Sequence, residues 1–216
     1  RIFNLLGVYY GEVGEYTRAL NYYKMIEEAY LRNNKFLFLD ACYNNLGTIY
    51  SSLGEYSKAS ECYLKSNEIS RLTGDRLGEA ITLNNIGDIY LISDDLEKAE
   101  ETYKKYLKIN EEIENKLGNG YGNAGLGRVE VRRKNYKLSE EYFLKSIRIF
   151  HELGSKNLEL STKLELAECY LENTRTEETL TLISEVKKEI EEKDVYFIQG
   201  IKEIEGKIAF KEERID

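Results

Sequence analysis

The sequence contains no proline and only one histidine. Proline inside a helix removes a backbone hydrogen bond and clashes with the preceding turn, so its absence suits a chain that is helical almost throughout. A single histidine excludes any metal site built on two imidazoles, and a hydrolase triad would have to use His151. That residue follows Phe150 near the end of an expected helix, where it complements the C-terminal dipole.

Cysteine is also scarce. Cys42, Cys62 and Cys169 lie too far apart for a metal-ligand or redox motif and are odd in number. They read as small buried apolar residues of a reducing, cytoplasmic compartment.

No run of about 18 apolar residues is present, and no basic segment followed by an apolar stretch opens the chain, so no membrane span or signal peptide is expected. Positive charge is in deficit: 31 Lys and Arg against 39 Asp and Glu give a net charge of −8. That balance argues against nucleic acid, whose binding depends on basic groups displacing counterions from phosphates.

The one glycine-rich stretch, Gly118-Asn119-Gly120-Tyr121-Gly122, lacks both the Gly-Lys-Ser/Thr ending and the preceding strand of a phosphate loop. It reads instead as a helix start weakened by glycine, and so as a local flex point. Nucleophile, base and orienter form no constellation, and the many carboxylates repeat as solvated helix faces. The expectation is a non-enzyme with no cofactor and no metal.

What the chain does have is a period of 40 residues. Gly7, Gly47, Gly87 and Gly127 are spaced by 40, and Ala167 continues the series. Tyr10, Tyr50, Tyr90, Tyr170 and Phe210 form a second row, interrupted by Glu130. Ala19, Ala59 and Ala99 lead on to Ser139 and Thr179, and Tyr23, Tyr63 and Tyr103 lead on to Phe143 and Ile183.

Within a repeat, apolar residues recur at three- and four-residue steps in two blocks: Leu46, Ile49, Tyr50 and Leu53, then Tyr56, Ala59, Cys62, Tyr63 and Ile69. Each repeat is therefore a pair of amphipathic helices. Gly14 and Gly54 fall where a helix should end in the left-handed conformation. Asp94, Lys134 and Thr174 occupy the same register, and looser turns are expected there. Gly47 is expected to face Ala59 across the hairpin, with Tyr50 and Tyr63 filling the space beside that close approach. A hairpin leaves one apolar face bare, so hairpins must stack into a solenoid.

Asn44-Asn45-Leu46-Gly47-Thr48-Ile49-Tyr50 followed by Leu53-Gly54-Glu55-Tyr56, Ala59 and Tyr63 resembles the tetratricopeptide repeat (TPR) motif, and Asn84 to Tyr90 with Ala99 and Tyr103 resembles it nearly as well. The likeness is strong through residue 150 and weaker beyond. A period of 40 rather than 34, and a missing proline, place it with the long-helix branch similar to kinesin light chain, Pins-type scaffolds and bacterial peptide-pheromone receptors. The resemblance implies an all-α fold, a right-handed α-solenoid of antiparallel helical hairpins. It would run over residues 1–216 as one domain, with repeats near 1–35, 36–75, 76–115, 116–155 and 156–194 and a capping helix at 195–212. Helices are expected at 1–13, 16–33, 37–53, 56–72, 77–93, 96–113, 118–133, 136–153, 158–172, 175–191 and 196–212. The chain starts at Arg1, within a repeat, and reads as a piece of a longer protein.

In that branch the first helix of each repeat lines a concave groove that holds a peptide, often through asparagines. Carried over, the groove positions are Asn4, Asn44, Asn45, Thr48, Asn84, Asn85, Asp88, Arg128 and Arg132. An asparagine amide both donates and accepts, so a ladder of them can pair with a peptide backbone. The same asparagines can instead bridge neighbouring helices. Arg128 and Arg132, one turn apart, either receive an acidic ligand group or are neutralised by Glu165, Glu168 and Glu172.

The functional expectation is a protein- or peptide-binding scaffold, the sensory or regulatory module of a larger bacterial signalling protein. The bacterial assignment rests on richness in Lys, Glu, Ile, Asn and Tyr. The alternative is a module that forms homodimers through its terminal helices.

Overall fold

The computed structural model describes residues 2–212; Arg1, which the first expected helix included, lies outside them. Eleven α-helices and no strand are found among the described residues. The helices are α1 (Ile2–Glu12), α2 (Tyr16–Arg32), α3 (Asp40–Ser52), α4 (Tyr56–Thr73), α5 (Arg76–Ile92), α6 (Leu96–Glu112), α7 (Lys116–Arg132), α8 (Tyr136–Glu152), α9 (Lys156–Glu172), α10 (Thr176–Glu189) and α11 (Val195–Glu212). The all-α helical-repeat class is as expected, and most boundaries fall within two residues of expectation. One departure is at α3, which begins at Asp40 because Phe36–Phe38 form a separate 3-10 turn.

The chain divides into two compact units, Arg1–Glu114 and Asn115–Asp216. In the first, the hairpins α1/α2, α3/α4 and α5/α6 follow one another, with α2 packed on α3 and α4 on α5. Its largest apolar cluster joins Ala19 and Tyr23 of α2 to Leu39, Cys42, Leu46 and Ile49 at α3, with Ile69 of α4. In the second unit, α7/α8 and α9/α10 are the hairpins, and α11 packs on α9 and α10. Leu160, Leu164, Ala167 and Leu171 of α9 meet Ile183 and Val186 of α10 and Phe197, Ile201, Ile204 and Ile208 of α11.

Helix starts are fixed locally. Asp75 accepts from the Gly78 amide at 2.9 Å, Asp95 from that of Lys98 at 3.3 Å, and Asn115 from that of Gly118 at 3.2 Å. These side-chain caps satisfy amide donors that a helix N-terminus leaves open.

One expectation about turns is corrected, and one about packing is refined. The turns at Asp94, Lys134 and Thr174 are not looser than the glycine turns. All three residues adopt φ 60°, beside 78° at Gly14 and 73° at Gly54. The closing bonds also match: Thr174 N donates to Leu171 O and Arg175 N to Tyr170 O, as Gly54 N does to Ser51 O and Glu55 N to Tyr50 O. Tertiary stacking imposes the left-handed residue whether or not glycine supplies it.

The glycine row and the small-residue row do approach each other, since Ser139 donates to the Gly127 carbonyl at 2.9 Å and Thr179 to the Ala167 carbonyl at 3.2 Å, but the tightest contact of each glycine is with an aromatic ring. A Cβ on Gly47 would come within 2.6 Å of the Tyr63 ring, one on Gly7 within 2.7 Å of Tyr23, and one on Gly127 within 2.8 Å of Phe143. Each glycine is a seat for the aromatic ring of its own hairpin partner.

The glycine-rich stretch follows the same rule. Helix α7 begins before it, at Lys116, and a Cβ on Gly120 would meet the Phe150 ring at 2.4 Å, so this glycine serves packing.

Candidate functional site

Unit one carries seven of the nine expected groove residues on the first helices of its hairpins: Asn4 on α1, Asn44, Asn45 and Thr48 on α3, and Asn84, Asn85 and Asp88 on α5. All are half-buried except Thr48, which is exposed. Much of their hydrogen bonding is internal. Asn85 Nδ2 donates to Asn44 Oδ1 at 2.9 Å, bridging α3 and α5. Tyr103 donates its hydroxyl to Asp88 at 2.6 Å, and Tyr63 donates to Thr48 Oγ1 at 3.3 Å. Burial pushes the Tyr23 phenol up to about 12, against a hydrogen bond with Asn45 that draws it down. In this unit the tyrosine that fills the seat at Gly7, Gly47 or Gly87 thus reaches through the hairpin to the first-helix face.

Asn84 differs from these. Its Nδ2 makes a long bond to Asp88 at 3.3 Å, and its buried Oδ1 has no partner. Asn4 stands apart from the other asparagines, in an apolar cavity of about 580 Å³ with Phe3, Ile26, Tyr30 and Phe38.

Two cavities open beside α3, and Asn45 lines both. One, of about 250 Å³, lies towards α1 and is walled by Val8, Gly11, Glu12, Thr48 and Ser52. A Cβ on Gly11 would touch Ile49 Cδ1 at 2.9 Å, so the absence of a side chain there lets α1 and α3 approach. The other, of about 210 Å³, lies towards the start of α5 and includes Asp40, Asn44, Ser70, Asp75, Leu77 and Ile81. Asp75 and Ser70 were not legible as site residues: they belong to a turn and to the second helix, and the first-helix register does not select them.

In unit two, Arg128 on α7 lies 3.6 Å from Glu165 on α9, the neutralising arrangement that the sequence left open. Arg132 is exposed in the last turn of α7. Glu168 is engaged from a helix that sequence reasoning did not consider, by Lys207 of α11 at 2.5 Å. Glu130, the residue that interrupts the tyrosine row, is buried and accepts from Arg133 at 2.9 Å and Asn135 at 3.0 Å.

Across the back of this unit, Arg175 pairs with Glu140 at 2.6 Å and stacks 4.1 Å over the Tyr170 ring, while Tyr170 donates to Glu140 at 2.6 Å. The Arg175 guanidinium holds the Glu140 carboxyl below its ordinary value, in spite of partial burial. His151 is exposed at the end of α8, with Nδ1 3.0 Å from Glu159.

Burial pushes the thiols of Cys42 and Cys62 up to about 12 and 11, which keeps them protonated and unreactive at neutral pH. No helix of the described residues is long and apolar enough to cross a membrane.

The Tetratricopeptide repeat family profile matches residues 39–112. No curated protein matches the chain in sequence. Among solved structures, the chain is similar to a Rap protein complexed with competence and sporulation factor (TM-score 0.75, 14% identity, 94% of this chain and 54% of that one). It is similar also to a signal transduction ATPase with numerous domains and a tetratricopeptide repeat sensor from Pyrococcus horikoshii (TM-score 0.74, 22% identity, 85% of this chain and 29% of that one). A third likeness is to the nearly identical TPR-like repeats of a Podosopora anserina kinesin light chain (TM-score 0.68, 15% identity, 87% of this chain and 92% of that one). At these identities the likeness is one of fold. With its 40-residue rows, its stacked hairpins and a tetratricopeptide repeat profile match over residues 39–112, the chain has the fold of tetratricopeptide repeat structures and resembles that family across its second and third repeats.

Proposed function

We propose that this chain is a peptide- or protein-binding scaffold whose ligand lies along the first-helix face of α1, α3 and α5. The observation that carries the reading is the placement of Asn45 between two cavities, of about 250 and 210 Å³, on that face. Carbon from Val8, Leu77 and Ile81 supplies apolar surface, Asn45 and Thr48 supply donors and acceptors at its edge, and Asn84 follows on the first helix of the next hairpin. That is the composition expected of a groove that buries side chains while pairing with a backbone. Asn4, Asn44, Asn85 and Asp88 complete the face as supports, and Arg128 and Arg132 form a separate basic pair in unit two.

The neighbours lend support. One is a Rap protein complexed with competence and sporulation factor, and another is a signal transduction ATPase with a tetratricopeptide repeat sensor. We read the present chain likewise as a sensory or regulatory module of a larger bacterial signalling protein, cytoplasmic and non-catalytic.

Selection of a random-peptide display library on the purified chain tests this. Recovered peptides should lose binding on Asn45→Ala and Asn84→Ala, and for Asn84→Ala the melting temperature should hold. Failure to recover any peptide, or binding indifferent to both changes, would overturn the reading.

A second reading, homodimerisation, rests on α1, where Ile2, Leu5 and Tyr9, with Val13 just beyond the helix end, form an exposed apolar stripe at three- and four-residue steps. Light scattering of the parent and of Leu5→Glu separates the two, since a dimer built on α1 would dissociate.

A further inference from the structure

The cavity towards α5 holds a feature that peptide-backbone binding does not use. Ser70 of α4 is 1% exposed, lines the cavity, and its hydroxyl has no hydrogen-bond partner. Its neighbour Ser66 shows the ordinary arrangement, donating to the Asp40 carbonyl at 2.7 Å. An unpaired buried hydroxyl carries a desolvation cost that a ligand group bonded to it would remove.

The cavity's ionisable lining is of one sign, Asp40 and Asp75. Neither carboxylate has an ion-pair partner among the described residues. The cations nearest in sequence are turned elsewhere: Arg71 and Arg76 reach Glu79 at 3.9 and 2.5 Å, and Arg76 also binds Glu112. Asp75 spends one oxygen on capping the Gly78 amide, which leaves the second available. Leu77 and Ile81, both largely exposed, add a strip of hydrocarbon.

An acceptor hydroxyl, two unpaired carboxylates and an apolar strip match one kind of side chain. It has a long aliphatic stem and a head that only donates hydrogen bonds and bears positive charge. We propose that this cavity is a subsite for a lysine side chain of the bound peptide. The stem lies on Leu77 and Ile81, and the ammonium is taken up by Asp40, Asp75 and the Ser70 hydroxyl. The inference rests on the peptide-binding reading above and gives it a specificity: ligands with a cationic residue in register with the start of α5.

The probe is a capped pentapeptide, acetyl-Ala-Ala-Lys-Ala-Ala-amide, titrated into the isotope-labelled chain with backbone amide shifts as the readout. Its norleucine and glutamate counterparts serve as controls. The lysine peptide should shift the amides of Ala41, Ser70, Gly78 and Ile81 saturably. The norleucine peptide should bind at least threefold more weakly, and the glutamate peptide not at all. Asp75→Asn keeps a capping side chain and removes the charge, and Asp40→Asn removes the other; each should weaken the lysine peptide by roughly three- to tenfold and flatten its salt dependence. Ser70→Ala should weaken it too, with a melting temperature equal to or above that of the parent.

Equal binding of lysine and norleucine peptides, or no shift at these amides, overturns the subsite. Peptides from the display selection tell the two failures apart: if they bind through Asn45 but lack a lysine preference, the groove stands and the subsite falls.

Discussion

Gly87 of α5 lies against the ring of Tyr103 on α6, so closely that a Cβ on Gly87 would come within 2.8 Å of Tyr103 Cε1. The same ring then donates its hydroxyl to Asp88, one residue further along α5. One aromatic side chain thus sets both the spacing of the hairpin and the polarity of the first-helix face.

Gly87→Leu should therefore destabilise the chain by about 1–3 kcal/mol through overpacking, because ring carbons and not a flexible tip stand in the way. Thermal unfolding gives the cost. Adding Tyr103→Leu should recover part of it, whereas adding Tyr103→Phe should not; a Gly87→Leu variant that melts like the parent would remove the ring seat from the account.

Thr174 offers a gain. It is β-branched and held at φ 60°, a conformation that costs L-residues about 1–2 kcal/mol. Thr174→Gly removes that strain and adds unfolded-state entropy, so a net gain of roughly 0.5–1 kcal/mol is expected. Gly54→Thr, made at the equivalent glycine turn, should lose a similar amount. Chemical denaturation of both variants measures the pair, and opposite signs are the required result.

Glu140 should give the second unit an acid-sensitive term. Its carboxyl is held down chiefly by its bond to Arg175, so it binds fewer protons in the folded than in the unfolded state. The linked stabilisation is fully present above the unfolded pKa, about 4.3, and is lost as pH falls through the depressed folded value. Glu140→Gln lacks the term. The gap in melting temperature between parent and variant should be widest near pH 6 and should close as the pH is taken below 4; a gap that stays constant across that range would assign the effect to packing.

The asparagines should divide into two classes. Asn44 and Asn85 bond each other, so Asn44→Ala and Asn85→Ala should each lower the melting temperature, with a coupling of about 0.5–1.5 kcal/mol in a double-mutant cycle. Asn84 has a buried carbonyl with nothing to lose, so Asn84→Ala should be close to neutral for stability while weakening a selected peptide severalfold. The reverse pattern, with Asn84 structural and Asn44 needed only for binding, would contradict this division.

By itself, the sequence determined the period of 40, the hairpins and nearly every helix boundary. Helical periodicity and turn chemistry act over a few residues, and a tandem repeat states them again in every copy, so single exceptions such as Glu130 do not obscure the rule. Contacts across a hairpin are another matter. Gly47 and Ala59 are both small, and only the packed helices decided that the glycine seats Tyr63. Lys134 and Thr174 carry no local preference for a left-handed turn, yet stacking of the flanking helices holds them in one.

The same limit applies to the site. The rows announced Asn44 and Asn85, but their mutual bond depends on the distance between α3 and α5, and the pairing of Glu168 with Lys207 depends on where α11 docks. Ser70 lies on a second helix and is as buried as Ser66 one turn earlier; only the lack of a hydrogen-bond partner separates the two. Hydrogen-bond satisfaction is a property of three-dimensional neighbours, and no spacing along the chain encodes it.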